Sequence, residues 1–190
     1  DVYKRQDLIG IDLMVDVLKS FKKELPGTDD FQNVAKEIPL ITKLINEGYT
    51  GRKGKGGFYR VNKLNNDKVL EAINLDTEKY SPSKKIDLKM DTVDIVGLIN
   101  RDDKYGKYSW SVISKIITYA SSLVPGITDK FNDIDEAMRL GFNWAMGPFE
   151  MLNEIGSKNF FERLGQIKNN KFLENLSKSN KENFYGKRQL

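Results

Sequence analysis

The chain contains no cysteine and no histidine among its 190 residues. The lack of cysteine excludes disulfides, thiolate metal sites and a cysteine nucleophile, which is typical of a protein from a reducing compartment. The lack of histidine removes the one side chain whose unperturbed pKa lies near neutrality. Acid–base catalysis by the side chains that are present would need a carboxyl or lysine group with a strongly shifted pKa. The composition therefore disfavours a self-contained enzyme.

Long apolar runs are also missing. No stretch reaches the roughly 20 consecutive apolar residues that a membrane span requires, and no segment has the pattern of a secretory signal. These features predict a soluble, cytoplasmic protein without a membrane partner. The 31 basic and 27 acidic residues give a formal net charge of +4, but the two signs are interleaved along the chain. Interleaved charge argues against a nucleic-acid partner.

Two apolar stripes predict amphipathic helices. One lies between Asp7 and the Pro26–Gly27 break, and the other lies between residue 108 and the Pro125–Gly126 break. Their members are Ile11, Met14, Val15, Leu18 and Phe21 in the first stripe, and Trp110, Ile113, Ile117, Ala120 and Val124 in the second. A shorter stripe in residues 31–48 predicts a partner helix for the first one, as an antiparallel hairpin.

Acidic pairs occur near predicted helix starts. Asp133 and Glu136 match a capping box, which predicts a helix from Asp133 to about Gly141. The pairs Asp102–Asp103 and Asp133–Asp135 could in principle bind a metal, but capping explains carboxylates at these places. No metal site is therefore predicted.

The stretch GPFE, residues 147–150, is a helix-starting corner. Gly147 can cap a helix, Pro148 fits the first turn because no amide is needed there, and Glu150 favours the positive end of the helix dipole. The predicted helix ends near Gly156. Trp144 and Phe149 are expected to pack this helix against the preceding one, which makes the corner structural.

The basic loop GRKGKGG, residues 51–57, is the main candidate for ligand binding. Its amides and the cations Arg52, Lys53 and Lys55 could contact phosphates. The spacing does not match a Walker A loop, and the loop does not open a helix after a strand, as a dinucleotide fingerprint does. A solvated turn held by the apolar anchor Phe58–Tyr59 is the competing interpretation.

The two halves of the chain carry a weak internal repeat. DLIGIDLMVDVL resembles MLNEIGSKNFFERL, so Ile9–Gly10 corresponds to Ile155–Gly156. Phe58–Tyr59 corresponds in the same way to Phe184–Tyr185. The repeat predicts a duplicated helical unit.

The order of these motifs along the chain resembles that in the C-terminal region of 3-hydroxyacyl-CoA dehydrogenases. The resemblance is greatest to the large fused bacterial enzymes that also carry an enoyl-CoA hydratase module. The resemblance rests on GRKGKGGFYR, YSWSVISKIITYASSLVPGI and AMRLGFNWAMGPFE, and it extends from Asp7 to Gln166. In that family a Rossmann domain binds NAD and carries a catalytic histidine–glutamate pair, and two related helical domains follow it.

The resemblance implies a mainly α fold. It predicts two related helical subdomains of the 6-phosphogluconate-dehydrogenase C-terminal-like kind, an irregular connector, and a small β-hairpin near residues 57–75. A partial first domain would occupy residues 1–63, the connector residues 64–105 and a second domain residues 106–190. The chain would be a fragment of an oxidoreductase.

The implied parent function is the NAD-dependent oxidation of a 3-hydroxyacyl-CoA in fatty-acid β-oxidation. This chain would shape the substrate pocket and the dimer surface, with the missing Rossmann domain and a second copy as partners. It would hold no catalytic or NAD-binding residue and would be inactive alone. Arg52, Lys53 and Lys55 would contact CoA phosphates, and the corner would stay structural. The alternative is a helical interaction module without a ligand.

Overall fold

The computed structural model describes residues 2–64, 67–84, 94–167, 170–179 and 185. The chain divides into two compact units, Asp1–Asp87 and Leu88–Leu190. The first unit combines helices with a three-stranded antiparallel sheet, and the described elements of the second unit are helices. The predicted mainly α class with a small β-hairpin is thereby confirmed. The assignment of residues 1–63 and 106–190 to two family domains stays a prediction.

The first unit begins with four helices and ends with a three-stranded sheet. Its elements are α1 (Val2–Ile9), α2 (Ile11–Glu24), α3 (Phe31–Val34), α4 (Pro39–Asn46), β1 (Tyr59–Leu64), β2 (Asp67–Ile73) and β3 (Tyr80–Pro82). Gly10 alone separates α1 from α2, at a φ of 110° that favours glycine. Pro39 starts α4, where its missing amide costs no hydrogen bond. The glycine loop connects α4 to the edge strand β1.

The apolar stripe predicted on α2 is only partly covered. Ile11 is buried and Met14 and Val15 are partly buried, but Leu18 and Phe21 remain 40% and 51% exposed. The neighbouring Leu13 and Val17 are also 49% and 44% exposed. Phe21 contacts Phe31 edge-on, with 5.8 Å between the ring centroids. The first unit therefore presents an apolar surface along α2, which we call the α2 face.

The second unit is a helical bundle. Its elements are α5 (Ile95–Ile99), α6 (Lys104–Ser122), α7 (Phe131–Phe142), α8 (Pro148–Ile155), α9 (Ser157–Leu164) and α10 (Lys171–Ser179). The core consists of buried apolar side chains from five of these helices, namely Ile99, Ile117, Leu152, Ile155, Phe160, Leu173 and Leu176. Trp110 and Ile113 of the predicted α6 stripe pack against this core. The stripe on α6 therefore faces inward.

The predicted start of α7 is wrong by two residues. The helix begins at Phe131, and Asp133 lies inside it instead of capping it. Asp133 accepts a hydrogen bond from the Thr128 hydroxyl, and the amide of Lys130 donates to the same hydroxyl. This local turn starts the helix earlier, so the capping box of Asp133 and Glu136 does not form.

Some sequence predictions fall outside the described residues. These are the predictions for Phe184 of the second repeat and for residues 85–93 of the connector. Among the described residues, no helix is long and apolar enough to cross a membrane.

Candidate functional site

Asp7, near the end of α1, organises the glycine loop of the first unit. Its buried carboxylate accepts hydrogen bonds from the amides of Phe58 and Tyr59, at 2.9 and 2.7 Å. Its main-chain carbonyl accepts from the amide of Arg52 at 2.7 Å. One residue thus holds the loop at both ends. Because more than 40 residues separate Asp7 from the loop, no local sequence pattern predicts these hydrogen bonds.

Two glycines of the loop are required by their closeness to Asp7. A Cβ on Gly51 would lie 2.3 Å from the Asp7 carbonyl oxygen, and one on Gly57 would lie 2.1 Å from its carboxylate. Such distances are far inside van der Waals contact, so only glycine fits. These two glycines are explained by packing on α1, without reference to a phosphate.

The three cations of the loop are not equivalent. Lys53 forms an ion pair with Asp12 at 2.7 Å, and its hydrogen bond is the main cause that lowers the pKa of Asp12. Lys55 donates to the main-chain carbonyl of Glu47 at 2.9 Å. Arg52 is exposed, and among the described residues no carboxylate forms an ion pair with it. The structure therefore leaves Arg52 most accessible to an anion.

An open cavity of about 450 Å³ lies beside the loop. It is lined by charged residues, loop glycines, one tyrosine and one apolar pair, namely Asp7, Arg52, Gly54, Lys55, Gly56, Tyr59, Arg60, Val61 and Leu70. Lys53 is not part of this lining. Of the three cations predicted to contact phosphate, the cavity therefore brings together only Arg52 and Lys55. We call this space the loop cavity.

One side of the loop cavity is stiffened by a charge pair across the sheet. Arg60 on β1 lies opposite Glu71 on β2, and their side chains form an ion pair at 2.7 Å. The Arg60 guanidinium also lies 4.0 Å from the centre of the Tyr80 ring. The hydrogen bond from Arg60 lowers the pKa of Glu71, and burial raises the pKa of Tyr80 to about 12. Opposite charges in hairpin register could have predicted this pair.

The GPFE corner starts α8 in the second unit. Pro148 is the first helical residue, and the Glu150 side chain accepts from the amide of Gly147 at 2.8 Å. Phe149 is fully buried, with ring centroids 5.3 Å from Phe131 and 5.1 Å from Phe172. Trp144 is half-buried and follows the left-handed residue that ends α7.

A buried carboxylate from α7 caps this corner, which sequence reasoning missed. Asp135 accepts from the amides of Phe149 and Glu150 at 2.8 and 2.9 Å. Gly147 has no side chain with which to cap α8, so Asp135 replaces the usual cap from a different helix. A Cβ on Gly147 would lie 2.3 Å from the Asp135 carboxylate. The Asp–Gly pair is therefore one structural unit.

The surroundings of Asp135 form a closed polar cluster. Burial is the main cause that raises the pKa of Asp135, and the amide of Phe149 acts in the opposite direction. The Tyr185 hydroxyl donates to Asp135, and burial followed by this contact raises the pKa of Tyr185. Arg139 approaches Glu150 at 3.3 Å. The carboxylates of Asp135 and Glu150 both accept backbone amides at the start of α8, so the corner has the character of a fold-holding site.

The two units repeat the same anchor. In the first unit the amide of Tyr59 donates to Asp7, and in the second the amide of Tyr185 donates to Asn153 at 3.2 Å. Asp7 and Asn153 both stand two residues before the repeated Ile–Gly pair. Gly156 joins α8 to α9 at a φ of 82°, as Gly10 joins α1 to α2. The repeat read from the sequence therefore extends to matching hydrogen bonds.

The described residues do not form a site that fits NAD. Their sheet is antiparallel throughout, and the glycine loop leads from a helix into a strand, which is the reverse of a dinucleotide-binding turn. Within the same residues, no group of acidic side chains is placed to hold a metal ion.

Comparison with known proteins agrees with the resemblance. Residues 111–182 match the family model described as 3-hydroxyacyl-CoA dehydrogenase, C-terminal domain. The chain is 38% identical over 80% of its length to a protein of Rickettsia felis named "Putative fatty acid oxidation complex trifunctional enzyme". A Rickettsia prowazekii protein of the same name is 36% identical over 83% of the chain.

A Bacillus subtilis protein named "Probable 3-hydroxyacyl-CoA dehydrogenase" is 29% identical over 87% of the chain. The chain spans only about a fifth of each of these relatives, between 21% and 22% of their length. No solved structure matches it significantly. Residues 111–182 of the chain are thus similar to the C-terminal domain of the 3-hydroxyacyl-CoA dehydrogenase family.

Proposed function

We propose that this chain is the substrate-pocket and dimerisation region of a cytoplasmic, NAD-dependent 3-hydroxyacyl-CoA dehydrogenase of fatty-acid β-oxidation. The observation that carries the proposal is the family match at residues 111–182, which contains the corner capped by Asp135. The names of the Rickettsia and Bacillus relatives support the same assignment. The substrate of the parent enzyme would be a 3-hydroxyacyl-CoA.

Within that enzyme the chain would supply shape and not proton transfer. It contains no histidine, and the carboxylates of Asp7 and Asp135 are occupied by backbone amides. In the parent enzyme, NAD bound to a separate domain would accept the hydride. The residues of this chain would then cover the acyl chain, exclude water and join two copies.

The proposal predicts acyl-CoA binding without turnover. The purified chain is mixed with a 3-hydroxyacyl-CoA and NAD, and NADH absorbance is followed, while calorimetry measures acyl-CoA binding separately. We expect measurable heat of binding and no NADH. NADH formation at a rate above the protein-free control would contradict the assignment of the chain as non-catalytic.

The same calorimetry separates the alternative function. A helical interaction module without a ligand would show no heat with acyl-CoA at any chain length. No observation on the described residues favours this alternative over the family match, so it serves here as the competing outcome.

We further propose that the loop contacts phosphates of CoA. The predicted cations were Arg52, Lys53 and Lys55, and the loop cavity supports this role best for Arg52 and Lys55, because Lys53 is engaged by Asp12. Arg52→Glu should weaken CoA binding roughly tenfold, since it replaces a charge-assisted contact by repulsion. Lys19→Glu, an equal charge change on the exposed surface of α2, is the control. Equal affinity of the two variants for CoA would contradict a role of Arg52 in phosphate binding.

A further inference from the structure

Another open cavity, of about 400 Å³, lies within the helical second unit. Helices α5, α6, α8 and α9 contribute to its lining. The charged residues of the lining are Glu162 and Arg163 of α9, and its apolar side chains include Val96 of α5 and Trp110 of α6. We call this space the α9 cavity.

The guanidinium of Arg163 is held in one orientation by three contacts. Its Nη1 group donates to the main-chain carbonyl of Ile99 at 2.8 Å and to the side-chain oxygen of Asn100 at 3.1 Å. Its central carbon lies 4.4 Å from the centre of the Trp110 ring, and that ring packs on the buried Phe160, with 5.6 Å between the centroids. A guanidinium on a fixed support loses little side-chain freedom when it binds a ligand.

The contacts of Arg163 with α5 have a structural role of their own. Ile99 is the last residue of α5, and a cation stabilises the carbonyl end of a helix. These contacts occupy only Nη1, and among the described residues no group bonds to Nε or Nη2. Nε and Nη2 together form an edge that can bind both oxygens of a carboxylate. Arg163 is therefore fixed through one nitrogen and free at the other two.

We propose that the α9 cavity binds a short aliphatic monocarboxylate. Nε and Nη2 of Arg163 bind the two carboxylate oxygens, and the aliphatic part lies against Val96 and Trp110. A phosphate monoester matches the cavity less well, because it carries about two negative charges at neutral pH and the described lining contains one cation. The inference concerns a different unit from the glycine loop and does not rest on the proposed enzymatic function.

Glu162 restricts the ligand to one carboxylate. It is exposed, it lines the same cavity, and among the described residues it forms no ion pair. A second carboxylate on the ligand would meet this uncompensated negative charge. The cavity should therefore prefer a monocarboxylate to a dicarboxylate of the same length. General attraction to a chain of net charge +4 would give the opposite preference.

The test uses the full 190-residue chain, with hexanoate, hexanamide and adipate as probes at neutral pH and constant ionic strength. NMR titration follows the indole N–H signals of the two tryptophans, Trp110 and Trp144. We expect hexanoate to shift the Trp110 signal saturably and to leave the signal of Trp144, which is outside the lining, unchanged. Uncharged hexanamide should bind at least about tenfold more weakly than hexanoate, and adipate at least about threefold more weakly.

Three variants test the roles of the charged residues. Arg163→Lys keeps the charge but loses the edge of two nitrogens, so it should weaken hexanoate binding at least about fivefold. Lys158→Met removes a cation from the same helix outside the lining and should leave the affinity unchanged. Glu162→Gln should abolish the preference for hexanoate over adipate without weakening hexanoate binding. If Arg163→Lys destabilises α5, the comparison of the three probes on the unaltered chain still decides the question.

Equal binding of hexanamide and hexanoate would overturn the proposal, as would binding of adipate at least as tight as that of hexanoate. Either result would mean that Arg163 does not recognise a single carboxylate, and unchanged binding by Arg163→Lys would have the same meaning. Shifts that do not saturate, or that are equal at Trp110 and Trp144, would exclude a defined site. Tighter binding of hexanoyl-CoA than of hexanoate at Trp110 would assign the cavity to an acyl group instead.

Discussion

At Gly147 the absence of a side chain allows α7 to approach the start of α8. The approach is close enough for the Asp135 carboxylate to accept two amides of that helix. Asp7 fulfils a related task in the first unit, where Gly51 and Gly57 make room for it. In both places a buried carboxylate and a glycine belong together, because the short hydrogen bonds exist only if no Cβ intervenes.

Gly147→Ala is predicted to destabilise the second unit. The new Cβ would lie 2.4 Å from the Cα of Asp135, and backbone at that position cannot move aside easily. Overpacking of this kind costs about 1–3 kcal/mol. The free energy of unfolding in urea, followed by tryptophan fluorescence, measures the effect.

Gly141→Ala is the matched control. Gly141 lies within α7, and a Cβ there would meet no atom within 4 Å. Alanine in a helix should therefore stabilise the protein by about 0.5–1 kcal/mol. A loss of stability for Gly141→Ala as large as that for Gly147→Ala would show that close packing on Asp135 is not the cause.

Among the elements, α6 and α7 differ in how well local sequence predicts their starts. Asp103 caps α6 by accepting from the amides of Tyr105 and Gly106, as its position before an apolar stripe predicts. Asp133 looks equally suitable, but the Thr128 hydroxyl engages it and α7 starts earlier. A capping pattern therefore predicts a helix well and predicts its first residue less well.

The cap of α6 predicts a pH dependence of stability. The hydrogen bond from Arg101, followed by the amide of Gly106, lowers the pKa of Asp103 from 3.8 to about 2. A lowered pKa in the folded state adds stability at pH above 3.8, and this stability is lost as the pH falls towards 2. Asp103→Asn should therefore be less stable than the parent at neutral pH, with a difference that shrinks on acidification.

Urea midpoints at neutral pH and near the lowered pKa measure this difference. Asp102→Asn is the control, since the neighbouring carboxylate is fully exposed and approaches Lys107 only at 4.0 Å. We expect the control to follow the parent at both pH values. A constant difference between Asp103→Asn and the parent from neutral to acidic pH would refute the role of this ionisation.

At the scale of the whole molecule, the two main features are the internal repeat and the exposed α2 face. The matching anchors at Tyr59 and Tyr185 support a duplicated unit. The α2 face leaves Leu13, Val17 and Phe21 half-exposed, and contiguous exposed apolar surface is typical of interaction sites. This surface belongs to the proposed dimerisation role.

Self-association through the α2 face is the corresponding prediction. Sedimentation velocity of the chain should show species larger than a monomer, with a proportion that rises with concentration. Val17→Glu should shift the distribution towards monomer, because a charge would be buried in the contact. Lys19→Glu on the same helix should not. A strictly monomeric parent chain would contradict the prediction.

Local signals were sufficient for much of this protein. Periodic apolar residues predicted α2 and α6, and the order Gly147–Pro148–Phe149–Glu150 predicted the start of α8, because these effects act within one or two helical turns. The internal repeat and the family resemblance also followed from residue order alone. Composition showed at once that no histidine is present to transfer a proton.

Long-range contacts depended on the folded chain. Asp135 meets α8 across 14 and 15 positions, and Asp7 meets Phe58 across 51, so neither pairing leaves a local pattern to read. Folding also separated Lys53 from Arg52 and Lys55, which are interchangeable by spacing alone. Side-chain position in three dimensions is set by packing between elements, and for that reason these partners became visible only when the helices and strands were brought together.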